Sequence, residues 1–113
     1  MADNLRPALY GAEYYAKVAN RMNAKPQNTV SIAGKACESG DMLIWDLELP
    51  EIEVGDKLAV FNTGDYSFAM ASNYNRLTKP AVVFVENGKH FLAIRRETPE
   101  DFMRFEERLP KDF

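Results

Sequence analysis

Short segments in which apolar and polar residues alternate make up most of the chain, and turn-forming residues separate them. The alternation and the content of β-branched residues indicate half-buried strands. The predicted strands are residues 13–22, 29–36, 42–49, 57–62, 81–86 and 89–95, with residues 50–55 as a connecting loop. Several short strands separated by turns are typical of an all-β sandwich or barrel. The pattern therefore predicts a mainly β fold.

One tight turn and one helix have specific sequence signals. Asn87 and Gly88 lie between the last two predicted strands, and both residue types accept the positive φ angles of a type I′ hairpin turn. Thr98, Pro99 and Asp101 are typical of a helix N-terminus, because the hydroxyl and the carboxylate cap free backbone N–H groups. We expect this C-terminal helix to pack one apolar face on the sheet, formed by Phe102, Phe105 and Leu109.

Length and composition predict one compact domain. The chain has 113 residues, of which 46% are hydrophobic, and this suffices for a single core. No apolar run approaches the roughly 18 residues of a membrane span, and the N-terminus lacks the basic and apolar regions of a secretory signal. A single cysteine excludes an internal disulfide. We therefore expect a cytoplasmic protein without a membrane partner.

The charge pattern argues against nucleic acid and metal ions as ligands. The chain has 14 basic and 17 acidic residues, a net charge of −3, and the basic residues are dispersed. Arg95 and Arg96 form the only adjacent basic pair, and Glu97 follows them. Cys37 and His90 lack the paired spacing of a zinc site. The candidate chemistry must therefore come from other groups.

The segment CESGD at residues 37–41 places a thiol and a carboxylate side by side where a predicted strand gives way to a turn. A cysteine without a nearby cation or helix N-terminus is a poor nucleophile, so proton donation suits Cys37 better. Glu38 beside it offers a binding group for an ammonium ion. Taken alone, a single cysteine is more often a small buried apolar residue. The assignment therefore needs support from the rest of the chain.

Arg6 and Tyr10 are a candidate pair for binding a carboxylate. They lie four residues apart, so a helical turn between them projects both side chains from one face. A guanidinium beside a phenol can hold a carboxylate through charge-assisted hydrogen bonds. Composition alone favours a surface arginine and a packed tyrosine.

Four segments together resemble one enzyme family. The segment IAGKACESGD at residues 32–41 is similar to the active-site segment of the diaminopimelate decarboxylases. Three further segments resemble motifs of that family in the same order, namely LRPALY, VFNTGDY and MASNYN at residues 5–10, 60–66 and 70–75. The resemblance extends over residues 4–105, which is nearly the whole chain.

The resemblance implies a fold and a cofactor. Enzymes of this family use pyridoxal 5′-phosphate (PLP) and share the fold type of alanine racemase, in which a TIM-type barrel holds the cofactor. The chain resembles only the second domain of such an enzyme, an alanine racemase C-terminal-like Greek-key β-barrel with a C-terminal helix. A Schiff-base lysine, an acidic partner for the pyridine nitrogen and a phosphate cradle are not found in the sequence. We therefore expect the isolated chain to be inactive.

The resemblance also implies partners. In the family the enzyme is a homodimer, and the cysteine and glutamate segment of one subunit enters the site that the other subunit's TIM-type barrel forms. The β-domain also takes up a strand from the N-terminal part of the full chain. Without that part, we expect an unpaired strand edge and an uncovered apolar face.

Residue roles follow from the same resemblance. Arg6 and Tyr10 match the residues that hold a substrate carboxylate in the family. Glu38 matches the residue that holds the ammonium group at the far end of the substrate, and Cys37 matches the residue that returns a proton to the decarboxylated carbon. Tyr66 matches a residue that touches both substrate and cofactor.

The loop before Tyr66 departs from the family pattern. Asp65 stands where the family has a small residue, and a carboxylate there would add negative charge near a phosphate, so we expect it to face solvent. Gly64 is expected to serve the backbone geometry of this turn. Residues 72–75 match a structural motif of the family, to which no catalytic role is assigned.

Two alternatives stay open beside a role in converting meso-2,6-diaminopimelate to L-lysine in the full-length dimer. A sister decarboxylase of ornithine, arginine or carboxynorspermidine shares these motifs, although in the ornithine enzymes an aspartate tends to follow the cysteine. A non-catalytic binding module derived from this domain is the alternative from another class. The intact set of site residues argues against that module, namely Arg6, Tyr10, Cys37, Glu38 and Tyr66.

Overall fold

The computed structural model describes residues 2–113 and consists mainly of short strands and loops. The strands are β1 (Ala16–Val18), β2 (Asn28–Ala33), β3 (Met42–Leu49), β4 (Leu58–Val60), β5 (Val82–Glu86) and β6 (Lys89–Ile94). The helices are short, namely α1 (Arg6–Tyr10), α2 (Ser67–Met70) and α3 (Pro99–Met103), with 3₁₀ turns at Ala19–Arg21 and Tyr74–Arg76. The prediction of a mainly β fold is confirmed.

The strands pair as three separate antiparallel ribbons, β1 with β4, β2 with β3, and β5 with β6. Closing a barrel requires each strand to pair on both sides, and in residues 2–113 each strand pairs on one side only. The predicted Greek-key β-barrel is therefore not closed by this chain. The unpaired strand edges that we expected are present in every ribbon.

The chain folds as two compact units, one ending at Ala71 and the other beginning at Ser72. The first unit contains β1 to β4 with α1 and α2, and the second contains the β5–β6 hairpin and α3. All of the residues predicted for the site lie in the first unit.

The core of the first unit forms where α1 and β1 contact β3. Its buried centre is Tyr14, Ala16 and Ile44. In β1 the burial alternates, so that Ala16 and Val18 point inward and Lys17 points outward, as the period of a strand requires. The partly buried residues that pack against this centre are Ala12, Ile32, Leu43, Leu47 and Val60.

The first predicted strand, residues 13–22, is too long. Regular pairing ends at Val18, and residues Ala19–Arg21 form a 3₁₀ turn. The side chains of this turn make specific bonds: Asn20 donates to a carboxylate oxygen of Asp56 at 3.0 Å, and Arg21 donates to the carbonyl of Glu51 at 2.9 Å. These contacts join residues 30 or more positions apart, so the alternation of apolar and polar residues along the chain does not encode them.

The hairpin turn is confirmed, and the C-terminal helix is confirmed only at its start. Asn87 and Gly88 have φ angles of 49° and 73°, as a type I′ turn requires. Thr98 and Asp101 form the predicted reciprocal cap of α3, but α3 ends at Met103. The apolar face was predicted wrongly, because the residues after that end are exposed, including Phe105 and Leu109.

Apolar side chains on both faces of the β5–β6 hairpin are exposed. Phe84 pairs with Phe91 across the hairpin, and Val83 pairs with Leu92, and all four are exposed. Adjacent pairs point to opposite faces of a ribbon, so neither face is covered. The expectation of an uncovered apolar face is confirmed. Among the helices of the described residues, none has the length and apolarity that crossing a bilayer demands.

Glu97, which follows β6, forms hydrogen bonds with the segment that contains Asn73 and Lys79 in the second unit. One of its carboxylate oxygens accepts hydrogen bonds from the Lys79 backbone N–H at 2.9 Å and from the Asn73 side-chain amide at 2.6 Å. The Glu97 N–H in turn donates to the Lys79 carbonyl at 3.1 Å. The bond from the Lys79 backbone, and then the one from Asn73, hold the pKa of Glu97 below its ordinary value.

A carboxylate with a lowered pKa stabilises the folded state above its ordinary pKa, and this stabilisation is lost as the pH falls through the lowered value. We therefore expect the melting temperature of the wild-type chain to fall between pH 7 and about pH 3 by more than that of the Glu97→Gln variant. Thermal unfolding followed by circular dichroism measures this. Glu107→Gln, at an exposed glutamate, is the control and should behave like the wild type; equal pH dependence in all three proteins would contradict the assignment.

Candidate functional site

The loop that joins β2 to β3 presents Cys37 and Glu38 to solvent. Strand β2 ends at Ala33, three residues earlier than predicted, because the Ala36 N–H bonds to the Asp41 side chain instead of a strand neighbour. The loop closes through a bond from the Gly34 N–H to the Asp41 carbonyl at 2.8 Å. Cys37 is therefore not the buried apolar residue that a lone cysteine most often is.

The carboxylate of Asp41 lies inside this loop. The residue is 5% exposed, and its Oδ2 accepts the Ala36 N–H at 2.7 Å. The sequence pattern predicted Asp41 only as a turn residue and did not indicate this inward position. A signal was present, since a charged residue directly before an apolar strand can turn back to bond loop N–H groups.

The helical turn predicted from Arg6 to Tyr10 is confirmed as α1. Pro7 suits its first turn, and Gly11 ends it at a φ angle of 63°, a left-handed conformation that favours glycine. The guanidinium of Arg6 lies over the ring of Tyr14, 5.9 Å from its centre. Among residues 2–113, no carboxylate forms an ion pair with Arg6, so its charge is available to a ligand.

A cavity of about 570 Å³ lies between α1 and the loop that holds Cys37. Pro7 and Ala8 line it on the side of α1, and Ser39 and Gly40 line it on the side of the loop. The cavity thus lies between the element that carries Arg6 and Tyr10 and the loop that carries Cys37 and Glu38, but none of these four residues lines it. Tyr10 is 67% exposed.

Tyr66 is placed by a strained turn and does not line that cavity. Its φ angle is 64°, which is unfavourable for a residue with a large side chain. The Ser67 hydroxyl donates to the Thr63 carbonyl and lies 3.3 Å from the side-chain oxygen of Asn4. These bonds hold the turn close to the segment that precedes α1. Asp65 faces solvent, as expected.

The exposed groups form a set suited to binding a charged amino-acid substrate. Two phenols, one carboxylate and one thiol are exposed on a single unit, and the Arg6 side chain of the same unit is half-buried. No lysine of the described residues is buried, whereas a lysine that forms a Schiff base needs a desolvated or cationic setting. The thiol is therefore chemically able to donate a proton and the charged groups to bind a charged ligand, whereas the lysines of this unit lie in settings that do not favour Schiff-base formation.

The backbone strain at Tyr66 has a measurable consequence. A left-handed φ costs an ordinary residue about 1–2 kcal/mol, and asparagine tolerates it better. Since the Tyr66 side chain is 70% exposed, replacement removes little packing. We therefore expect Tyr66→Asn to raise the free energy of unfolding by about 1 kcal/mol, measured by urea denaturation.

Tyr10→Asn is the matched control, because Tyr10 is similarly exposed but has a helical backbone. This variant should be neutral or destabilised, since asparagine has a lower helix propensity. A loss of stability in Tyr66→Asn as large as that in the control would show that the backbone at Tyr66 is not strained.

Comparison with known proteins identifies the family of this chain. Residues 1–64 match the family described as pyridoxal-dependent decarboxylase, C-terminal sheet domain. The diaminopimelate decarboxylase of Bacillus subtilis (strain 168) is 60% identical over 106 residues, which cover 94% of this chain and 24% of that protein. The crystal structure of diaminopimelate decarboxylase from M. jannaschii in co-complex with L-lysine has a TM-score of 0.86 and 39% identity, over 99% of this chain and 25% of that chain.

A second solved structure gives the same result. Diaminopimelate decarboxylase from Helicobacter pylori complexed with L-lysine has a TM-score of 0.82 and 38% identity, over 94% of this chain and 26% of that chain. This chain thus spans about a quarter of the length of the proteins it matches. Because the family match covers more than half of its residues, the chain belongs to the family of pyridoxal-dependent decarboxylase C-terminal sheet domains.

Proposed function

We propose that this chain is the C-terminal domain of a diaminopimelate decarboxylase, which converts meso-2,6-diaminopimelate to L-lysine in the cytoplasm. The observation that supports this most directly is the exposed Cys37 and Glu38 pair on a loop that shares a cavity with α1. The named relatives add support, since both solved structures described above are complexes with L-lysine, which is the product of that reaction.

The chain provides part of a site that the remainder of the enzyme completes. PLP, when bound, supplies an electron sink for the electron pair left by decarboxylation. Tyr66 is the residue of this chain best suited to touch it, because its phenol is exposed at a turn. The Schiff-base lysine and the phosphate cradle belong to the proposed N-terminal TIM-type barrel. The isolated chain is therefore inactive.

Arg6 and Tyr10 bind a carboxylate of the substrate in this proposal. The unpaired guanidinium supplies the positive charge, and the phenol supplies a hydrogen-bond donor from the same face of α1. Because Arg6 and Tyr10 lie on one helical turn, the distance between the guanidinium and the phenol is restricted, and the carboxylate is oriented as well as bound. Orientation of this kind lowers the entropic part of an activation barrier.

Glu38 and Cys37 act at different points of the same substrate. Diaminopimelate has an amino group at each end, and Glu38 pairs with the ammonium group far from the reacting carbon. When the bond to the reacting carboxylate breaks, carbon dioxide leaves and its bonding electron pair stays with the α-carbon. Cys37 then transfers its thiol proton to that carbon, and the resulting thiolate regains a proton from water.

The proposed enzyme is a homodimer in which this domain joins two barrels. Each ribbon has unpaired strand edges, and the β5–β6 hairpin exposes apolar side chains on both faces. Exposed edges and apolar faces of this kind usually mark surfaces that another chain segment covers. Added strands from the rest of the enzyme would complete the Greek-key barrel, and the loop with Cys37 would reach the partner subunit's barrel.

A sister decarboxylase of ornithine, arginine or carboxynorspermidine is the second candidate. Its substrates have only one carboxylate, but they share the distal cationic group that Glu38 would hold. Glu38 favours diaminopimelate through its longer reach compared with aspartate. A retained binding module without catalysis is disfavoured, because the exposed thiol and carboxylate and the half-buried guanidinium are all kept in one unit.

Loss of the Cys37 thiol should slow the reaction without releasing the cofactor. In the full-length enzyme we expect Cys37→Ala to lower kcat by about 10²–10⁴-fold, as is typical of a positioned proton donor, with PLP absorbance unchanged. Steady-state kinetics and the absorbance spectrum measure the two quantities. Lys17→Ala, at an outward-facing position of β1, is the control and should leave kcat unchanged. An unchanged kcat in Cys37→Ala would remove this residue from the mechanism.

The reach of Glu38 should decide between the candidate substrates. Glu38→Gln removes the charge and should raise KM for diaminopimelate by about tenfold or more, as loss of a charge-assisted bond does. Glu38→Asp keeps the charge but shortens the side chain, so its KM should rise for diaminopimelate more than for ornithine. If either variant alters only the cofactor spectrum, the substrate-binding role of Glu38 is wrong.

A further inference from the structure

We propose that Asp41 is a positioning residue for the proposed decarboxylation, and that its buried carboxylate sets the places of Cys37 and Glu38. Gly34 is its necessary partner, because only a hydrogen atom fits against that carboxylate. This inference rests on the proposed function. It concerns two residues that take no direct part in binding or proton transfer.

The setting of Asp41 differs from that of the other charged residues. Among residues 2–113, it is the only charged residue that is buried. A buried carboxylate is costly unless hydrogen bonds compensate it, and the Ala36 N–H provides one at 2.7 Å. The backbone of Asp41 bonds to the same loop, accepting from Gly34 at 2.8 Å and donating to the Glu38 carbonyl at 3.3 Å.

These bonds define the loop on both sides of the thiol. The carboxylate holds Ala36, which precedes Cys37, and the Ala36 carbonyl accepts the Glu38 N–H at 2.9 Å. Ala36 and Glu38, the two neighbours of Cys37, are thus hydrogen-bonded to each other, and Ala36 is also hydrogen-bonded to the buried Asp41 side chain. In residues 2–113 the Cys37 side chain forms no hydrogen bond of its own. The direction of the thiol therefore depends on the backbone conformation that Asp41 holds.

Gly34 leaves room for the Asp41 carboxylate, because glycine has no Cβ atom. A Cβ atom at this position would overlap with all three heavy atoms of the Asp41 carboxyl group. Its φ angle is not in the left-handed region, in contrast to those of Gly11, Gly55 and Gly88. Glycine is therefore needed at position 34 because of the carboxylate alone, and an alanine there would push that carboxylate away from Ala36.

The two positions predict a coupled pattern of effects in the full-length enzyme. Asp41→Ala removes the acceptor, and Gly34→Ala displaces it, so each should lower kcat by about 10–100-fold with a smaller change in KM and unchanged PLP absorbance. The double variant should be no slower than Asp41→Ala, because the clash disappears with the carboxylate. Asp41→Asn should recover most of kcat, since an amide oxygen also accepts the Ala36 N–H.

Amide hydrogen exchange in this 113-residue chain gives a readout that needs no catalysis. The Ala36 N–H should be protected in the wild type and in Asp41→Asn, and should exchange about tenfold faster or more in Asp41→Ala and Gly34→Ala. If the full-length enzyme does not act on diaminopimelate, the proposed function fails, and exchange at Ala36 still decides whether Asp41 holds the loop. Should Asp41→Ala not fold, Gly34→Ala and Asp41→Asn decide the question.

Asp56→Ala is the matched structural control. Asp56 closes another loop of the same unit, accepting the Glu53 N–H at 3.0 Å and the Asn20 amide at 3.0 Å, and it has no part in the proposed site. This variant should lower the melting temperature without changing kcat. The inference is overturned if Asp41→Ala behaves in the same way, or if Ala36 exchange is unchanged in Asp41→Ala and Gly34→Ala.

Discussion

Each strand of the described structure pairs with a neighbouring strand along only one of its edges, and the rest of the structure depends on this constraint. A two-stranded ribbon covers few of its own polar groups and little apolar surface, and here all three ribbons stop at two strands. The first unit compensates by packing α1 and β1 on β3, while the β5–β6 hairpin keeps its apolar residues exposed. In the proposed enzyme, contacts with the rest of the full-length chain and with a second subunit would cover these edges and apolar residues.

Loops and short helical turns, rather than strands, carry the residues of the proposed site. The thiol and the carboxylate sit on the β2–β3 loop, the guanidinium and one phenol sit on a single helical turn, and the other phenol sits on a strained turn. Each of these loops is short and held by specific bonds, such as that from Ala36 to Asp41 and that from Ser67 to Thr63. Polar contacts inside the loops therefore fix the positions of these side chains, because the two-stranded ribbons are too small to do so.

Local signals were sufficient for much of the fold. The positions of β3, the Asn87 and Gly88 turn and the start of α3 all follow from short-range rules, since alternation, positive φ and capping each involve only neighbouring residues. The end of β1 and the length of α3 could not be predicted in this way. The 3₁₀ turn after β1 depends on Asp56, 36 residues away from Asn20, and α3 stops although Phe105 and Leu109 continue its apolar spacing. For the site, sequence motifs pointed to the outward groups but not to the inward carboxylate of Asp41, because its place before an apolar strand permits burial but does not require it.

The contact between Gly34 and Asp41 also restricts how this loop can evolve. Gly34 and Asp41 lie seven positions apart and meet in one small volume, so a larger residue at one position requires a smaller residue at the other. A larger residue at position 34 introduces the overlap, and a smaller apolar residue at position 41 relieves it but removes the acceptor of the Ala36 N–H. Both positions are therefore restricted, and so is the number of residues between them, since an insertion there would move the carboxylate out of reach of Ala36.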